Sequence, residues 1–275
     1  MGEGKECSPQ SFLFSSTDSW RLYSPEYRAA KAWRIFYLLW RWCWAIFFAV
    51  FLIFTGAAEQ TWYDDESQRV KWFIYLTNWG MLAFTIAQLV NTAVCTAGFR
   101  LHESSEGIKW YMKLNWFLYE FTSGETILIS LLFWALIYDD RYTLTIDTYI
   151  THGVNGLHTL IDLWITAMPI KALHFYLPAL FGLLYIVFSI IYDYSGGTNA
   201  LGKTYIYSVL DWNEDATFAA IYSVGAIVGL IVLHFILFGF FKLRVRLYGY
   251  CSSRNNSREL NTKTNRYDEV EVSEY

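Results

Sequence analysis

Long apolar stretches constrain this chain more than any other feature of its sequence. A transmembrane helix needs about 20 consecutive, mostly apolar residues. Six stretches meet that requirement: Leu39–Ala57, Trp72–Gly98, Leu114–Tyr138, Asp147–Met168, His174–Tyr194 and Ala216–Phe241. The sequence therefore predicts an all-α fold, a polytopic membrane bundle of six transmembrane helices.

The composition and charge point to the bilayer as the partner of this chain. Apolar residues make up 55% of the sequence and charged residues only 17%, whereas soluble domains have roughly 45–50% and about 25%. The formal net charge is -4 and no basic face dominates, so we expect no nucleic-acid partner.

The cysteines and histidines lack the spacing of a metal site or a disulfide framework. The four cysteines are far apart, at Cys7, Cys43, Cys95 and Cys251, and no CxxC or HxxxH pair occurs. We therefore expect no metal and no cofactor.

Lysine and arginine are distributed unevenly between the two ends of the stretches. Only Arg69, Lys71, Arg141 and Lys203, of 21 such residues, fall on the side opposite the N-terminus. Because cytoplasmic loops carry the excess of positive charge, we expect both termini to be cytoplasmic. Arg41, near the start of the first stretch, is expected to extend to the lipid headgroups.

Composition divides the chain into three parts. Residues 1–38 form a polar N-terminal segment, and residues 39–241 hold the six-helix transmembrane domain. Residues 242–275 are rich in Ser, Asn, Arg and Glu, and we expect them to form a disordered cytoplasmic tail.

Polar residues of the fourth stretch recur at helical spacing. The set is His152, Asn155, Thr159, Asp162 and Thr166. At about 100° per residue these positions fall within an arc of roughly 80°, with His158 about 120° away from His152. Since such a stripe must face other helices or water, the helical wheel favours His152 as the inward-facing histidine.

The second and third stretches also carry polar groups that should face the interior. The second stretch has Thr77, Gln88, Asn91 and Cys95 on one face, and the third has Glu120 and Glu125. Thr77 and His152 should lie at matching depths of roughly 7–8 Å from the outer end, at a rise of about 1.5 Å per residue. The two can meet if the second and fourth stretches are neighbours.

Two interpretations of these polar groups remain open. In the first, Thr77 is a nucleophile, a histidine is its general base, and Asp162 or Glu125 orients the imidazole. In the second, the same side chains form interhelical hydrogen bonds that hold the bundle together. A transporter is less well supported, because the spans lack the Gly/Pro-broken pair of inverted repeats.

Several short motifs resemble the rolling stone family of multi-pass membrane proteins. They include Tyr75-Leu76-Thr77-Asn78-Trp79, Ser123-Gly124-Glu125, His152-Gly153-Val154-Asn155, Gly196-Gly197-Thr198 and Leu210-Asp211-Trp212. The resemblance runs from about Trp33 to Phe241. The namesake of the family is associated with myoblast fusion, so the resemblance implies a plasma-membrane protein of cell–cell contact or fusion.

A more distant resemblance is to the androgen-induced family of membrane threonine hydrolases, which cleave fatty-acid esters of hydroxy fatty acids. Leu76-Thr77 partly matches the context of the family threonine, although Asn78 departs from it. The family histidine lies in a His-Gly-x-His-Thr segment. Aligning His152-Gly153 with that segment places Asn155 at the catalytic histidine, whereas aligning the segment that ends in His158-Thr159 keeps a histidine there. This resemblance implies a lipid ester hydrolase with fatty-acid ester lipids as partners.

Overall fold

A computed structural model gives the structure of residues 12–16, 18–27, 31–57, 66–100, 107–138 and 144–273, with side chains described as far as Ser253. Cys7 and Arg141 lie outside the described residues.

The described residues form helices joined by short irregular segments. The α-helices are α1 (Lys31–Ala57), α2 (Leu76–Arg100), α3 (Trp110–Leu132), α4 (Ile146–Tyr149), α5 (Asn155–Ile165), α6 (Tyr176–Tyr194) and α7 (Ala216–Ser273). A π-helical turn, Phe133–Ile137, extends α3, and a second, Ile150–Val154, joins α4 to α5. Short 3-10 helices cover Ser19–Leu22, Glu66–Ile74, Ala172–Phe175 and Ser208–Leu210. Throughout the described ranges no strand occurs, which confirms the all-α prediction.

Five of the helical segments are long and apolar enough to cross a membrane. They are Lys31–Gly56, Leu76–Phe99, Trp110–Ile137, Ala172–Tyr194 and Ala216–Ser253. The fourth predicted span is helical over α4, the π turn and α5, but it is more polar and ends at Thr166, whose backbone is extended. Five spans are therefore supported by length and composition, and the count of six stays a prediction, as do the domain boundaries.

The outer surface of the long helices is apolar. Large side chains that are more than half exposed include Leu39, Val50, Ile53, Ile191, Ile221 and Val224. Exposure of so large an apolar surface to water is unfavourable, whereas such a surface is normal for helices that contact lipid. The helices are therefore in contact with the bilayer.

Helix α3 lies at the centre of the bundle. It packs against α2, α5, α6 and α7, while α1 packs against α2. Helix α2 also approaches the π turn Ile150–Val154, so the second and fourth predicted spans are neighbours.

A buried ion pair joins α1 to α5. The Arg41 Nη1 atom lies 2.9 Å from Asp162 Oδ1, and both side chains are almost fully buried. Arg41 also donates to the Tyr37 hydroxyl at 2.8 Å, and that hydroxyl is hydrogen-bonded to Thr166 at 3.0 Å. These contacts connect four polar side chains, those of Tyr37, Arg41, Asp162 and Thr166.

The expectation that Arg41 reaches the headgroups is therefore wrong. Its guanidinium is fully buried, because Asp162 supplies an opposite charge at the same depth. Pairing inside the bundle satisfies the charge without exposing it to lipid.

The chain between α5 and α6 is buried at the N-terminal end of the bundle. Backbone hydrogen bonds pair it with the N-terminal segment, from Glu26 N to Ile165 O at 3.0 Å and from Ala167 N to Ser24 O at 3.0 Å. Arg244 of α7 lies 3.2 Å from the Glu26 carboxylate and donates to the Met168 carbonyl at 2.9 Å. These contacts hold the N-terminal segment, α5 and α7 together.

The first prediction concerns the Arg41–Asp162 pair. Removing one partner in Asp162→Ala or Arg41→Met leaves a buried charge unpaired, and we expect a loss of about 3–5 kcal/mol of stability. The double variant should recover part of that loss. Thermal unfolding of purified protein in detergent measures the effect. The exposed Lys113→Met change serves as the control, and single variants as stable as that control would contradict the prediction.

Candidate functional site

A largely apolar cavity lies in the half of the bundle away from the N-terminal segment. Its volume is about 100 Å³, and it is lined by the start of α2, the C-terminal half of α3, the middle of α6 and the first half of α7. The loop after α6 covers it with Tyr207, Val209 and Leu210. Hydrophobic side chains form most of the wall. We call this space the apolar cavity.

Glu125 is the acidic residue of the apolar cavity. Its side chain is almost fully buried, and neither carboxylate oxygen has a hydrogen-bond partner among the described residues. It fits against α2 because Gly80 has no side chain: a Cβ there would collide with Glu125 Oε1 and lie 2.5 Å from Ile129 Cδ1. The glycine of α2 thus makes room for the carboxylate of α3.

Thr77 lines the same cavity at the start of α2. Tyr207 lines the cavity as well, and burial raises the pKa of Tyr207 to about 12. Because that pKa lies well above neutrality, Tyr207 stays protonated and uncharged. Nearby, the Tyr185 hydroxyl donates to the Ile74 carbonyl at 2.9 Å, which fixes the turn before α2.

His158 lies elsewhere, in an aromatic pocket between α1, α2 and α5. Its ring stacks on Trp40 at a centroid distance of 5.5 Å, and its edges contact Trp44, Phe48 and Phe84. It is only 1% exposed, and both ring nitrogens are without a hydrogen-bond partner in the described part of the chain.

A second, much smaller cavity adjoins this histidine. His158, Asn91 and Asp162 line it together with other polar residues, which are Gln88, Tyr119, Thr122, Ser123 and Thr159. Asn91 also accepts a hydrogen bond from Cys95 Sγ at 3.1 Å. The polar stripes expected on the second and fourth spans therefore meet here.

His152 is half-buried at the contact between α3 and the π turn. Its ring stacks on Phe133 at 3.6 Å, and its carbonyl accepts a hydrogen bond from Trp134 Nε1 at 2.8 Å. Asn155, one turn along, accepts from the Gly156 backbone N–H at 2.8 Å and from Ser130 Oγ at 3.4 Å.

The two histidines differ from the helical-wheel expectation. The structure buries His158 completely and His152 only in part. His158 is buried because aromatic residues of α1 and α2 cover its side of α5. His152 lies in the π turn Ile150–Val154, where the wheel of an unbroken α-helix does not apply.

The predicted site residues therefore fall into separate groups. Thr77 and Glu125 share the apolar cavity, whereas Asn91, His158 and Asp162 share the smaller one. Among the described residues no histidine lines the apolar cavity. His152 comes nearest through Phe133, whose ring contacts the histidine and also lines the cavity.

Sequence reasoning missed several residues that the structure makes prominent. Glu120 of α3 and His174 form a fully buried hydrogen-bonded pair. The same carboxylate accepts from the Lys171 backbone N–H at 2.7 Å. For Arg41 and Asp162 the opposite charges within two apolar spans were a usable signal. For Glu120 and His174 no pattern in one sequence indicated the pairing.

The fold and the interior polar groups define a multi-pass helical membrane protein. A family model described as "Protein rolling stone" matches residues 4–257. The chain is 30% identical over 226 residues to Protein rolling stone of Drosophila melanogaster, an alignment that covers 76% of this chain and 78% of the relative. This chain therefore belongs to the rolling stone family, as its motifs indicated. No solved structure matches it.

The second prediction tests the contact between Gly80 and Glu125. Gly80→Ala should displace the carboxylate and lower stability by about 1–3 kcal/mol, as overpacking of a core does. Thermal unfolding measures the change. Gly239→Ala in α7 is the control, because a Cβ there meets nothing within 4 Å. Equal melting temperatures for the two variants would show that α2 and α3 are not in close contact at this point.

Proposed function

We propose that this chain acts at the plasma membrane in cell–cell contact or in myoblast-type fusion, with both termini in the cytoplasm. Membership of the rolling stone family carries the proposal, since the family's namesake is associated with myoblast fusion. We call the side of the bundle opposite the N-terminus the far face. The low content of Lys and Arg in its loops supports the orientation.

The loops of the far face are tied to one another and carry exposed apolar side chains. Lys71 Nζ donates to Thr198 Oγ1 at 2.6 Å and to the Asn199 carbonyl at 2.9 Å, which joins the segment before α2 to the loop after α6. Phe73 and Leu201 on these segments are each more than 60% exposed. A fixed surface with exposed apolar groups suits contact with an opposing membrane or protein.

The third prediction concerns orientation and location. An epitope tag inserted between the exposed residues Lys203 and Thr204 should bind antibody on intact cells. A tag at the C-terminus should bind antibody only after the cells are permeabilised. A C-terminal tag that is accessible on intact cells, or a tagged loop that is never accessible there, would refute the proposed orientation and location.

The fourth prediction concerns contact between cells. Cells that express the chain should aggregate or fuse more often than mock-transfected cells. Phe73→Ser with Leu201→Ser should reduce that gain at equal surface abundance, because these side chains are on the face proposed to meet the other cell. Leu247→Ser, an exposed apolar position near the C-terminal end of the Ala216–Ser253 span, is the matched control. No gain over mock cells at full surface expression would rule out the proposed role.

A second candidate function is hydrolysis of fatty-acid esters, with Thr77 as nucleophile and His152 or His158 as base. The observation in its favour is that the Thr77 hydroxyl lines an apolar cavity. For this chemistry a histidine must come within about 2.6–3.2 Å of Thr77, and His152 contacts Phe133, a residue of the cavity wall.

The fifth prediction tests this hydrolase. A fluorophosphonate probe applied to membranes should label the parent chain, and Thr77→Ala should abolish the labelling at matched expression. Loss of labelling with only one of His152→Ala and His158→Ala would identify the base. A well-expressed parent chain that is not labelled would exclude the hydrolase, and the polar groups would then serve helix packing alone.

A further inference from the structure

Every other buried charged residue described above has a partner of opposite charge or a hydrogen-bond partner, whereas Glu125 has neither among the described residues. Arg41 is paired with Asp162, Arg244 with Glu26, and Glu120 with His174. Both oxygens of Glu125 are without a hydrogen-bond partner among the described residues, although the side chain is only 2% exposed. A buried carboxyl group without partners is costly. Its position in the wall of a cavity indicates that the missing partner is a molecule that enters the cavity.

The lining of the apolar cavity restricts the headgroup of that molecule. In the described part of the chain no lysine, arginine or histidine lines the cavity, so an anionic headgroup would meet Glu125 with no compensating charge. The rings of Phe133, Phe181 and Tyr185 are also part of the wall. A carboxylate together with aromatic faces is an environment that attracts a cation. A protonated amine fits this environment best.

Ser223 provides a second polar contact in the cavity. Its hydroxyl oxygen is buried and has no hydrogen-bond partner among the described residues. An ammonium group has three donors, so it can bind the Glu125 carboxylate and also donate to the Ser223 hydroxyl. Most of the remaining wall is apolar and suits a hydrocarbon chain.

The cavity reaches the surface that contacts lipid. Leu136, in the π turn after α3, lines the cavity and is also 42% exposed. Ile137 and Tyr222 line it as well and are half-buried. A ligand can therefore enter from the bilayer between α3 and α7. At about 100 Å³ the cavity is too small for a whole lipid, so the remaining chain of the ligand lies in the bilayer.

We propose that the apolar cavity binds a protonated long-chain amine from the bilayer, with its ammonium group against Glu125 and its hydrocarbon chain leaving between α3 and α7. This binding goes beyond the role in cell–cell contact and requires no bond cleavage. A failure of this proposal would therefore not contradict either proposed function, and a failure of either function would not contradict this proposal.

Photolabelling tests the proposal. The purified full-length chain in phosphatidylcholine nanodiscs is exposed to a photoactivatable sphingosine, which carries a primary amine on a single long chain. Glu125→Gln keeps the shape of the side chain and removes its charge, and we expect labelling affinity to fall at least about tenfold, equivalent to about 1.4 kcal/mol. Glu214→Gln, an exposed acidic position after the far-face loop, is the matched control and should bind like the parent chain.

Competition between unlabelled lipids tests the chemistry of the headgroup. Sphingosine should displace the probe, whereas N-acetylsphingosine, which has the same chain and no charge, should not. Equal competition by the two lipids would overturn the proposal, as would equal labelling of the parent chain and Glu125→Gln. Displacement by cholesterol but not by sphingosine would also overturn it, because the group recognised would then be a hydroxyl.

A second variant keeps the test decisive if Glu125→Gln fails to fold. Ala226→Leu fills the cavity from α7 without touching the carboxylate, and it should abolish labelling in a protein that still unfolds cooperatively. Cross-linked peptides of the parent chain should come from α3 and α7. Cross-links confined to other helices would place the amine at a different site and refute the proposal.

Discussion

The ion pair between Arg41 and Asp162 is the interaction on which the arrangement of α1, α2 and α5 depends. A guanidinium in an apolar span must find an opposite charge inside the protein, because lipid offers none. The pair forms only if Arg41 and Asp162 lie at the same depth and each helix is rotated about its axis so that the two side chains face each other. The backbone carbonyl of Arg41 also accepts a hydrogen bond from Thr92 of α2 at 3.0 Å. Arg41 thus contacts α5 through its charge and α2 through its backbone.

The same requirement explains why the N-terminal end of the bundle is closed. Arg244 of α7 is paired with the Glu26 carboxylate and donates hydrogen bonds to two backbone carbonyls in and just after α5. Glu120 of α3 is paired with His174. Helical spans in lipid gain little from hydrophobic association with one another. Paired charges and hydrogen bonds therefore provide specific contacts that an apolar interface between helices would lack.

The apolar cavity is the place where this requirement is not met from within the chain. Glu125 is as deeply buried as the paired residues, and the glycine at position 80 leaves space for it. The unpaired carboxylate is buried in the wall of a cavity that also includes Leu136, an exposed residue about three helical turns further along the chain. Among the buried charged residues described above, Glu125 is the one without a partner, and it lines a cavity, which is why we assign the site to a ligand.

The sequence by itself determined the all-α membrane class, the family and much of the buried polar face. Asn91, Glu125, Asn155 and Asp162 are all buried, as their positions predicted. Only the tertiary structure decided which of these side chains contact each other. The periodicity of a sequence describes a single helix, whereas a contact depends on the rotation and depth of both helices. It paired Arg41 with Asp162, and it placed Thr77 beside Glu125 and away from His158. It also buried His158 against aromatic residues of α1 and α2, which one helix considered alone does not reveal.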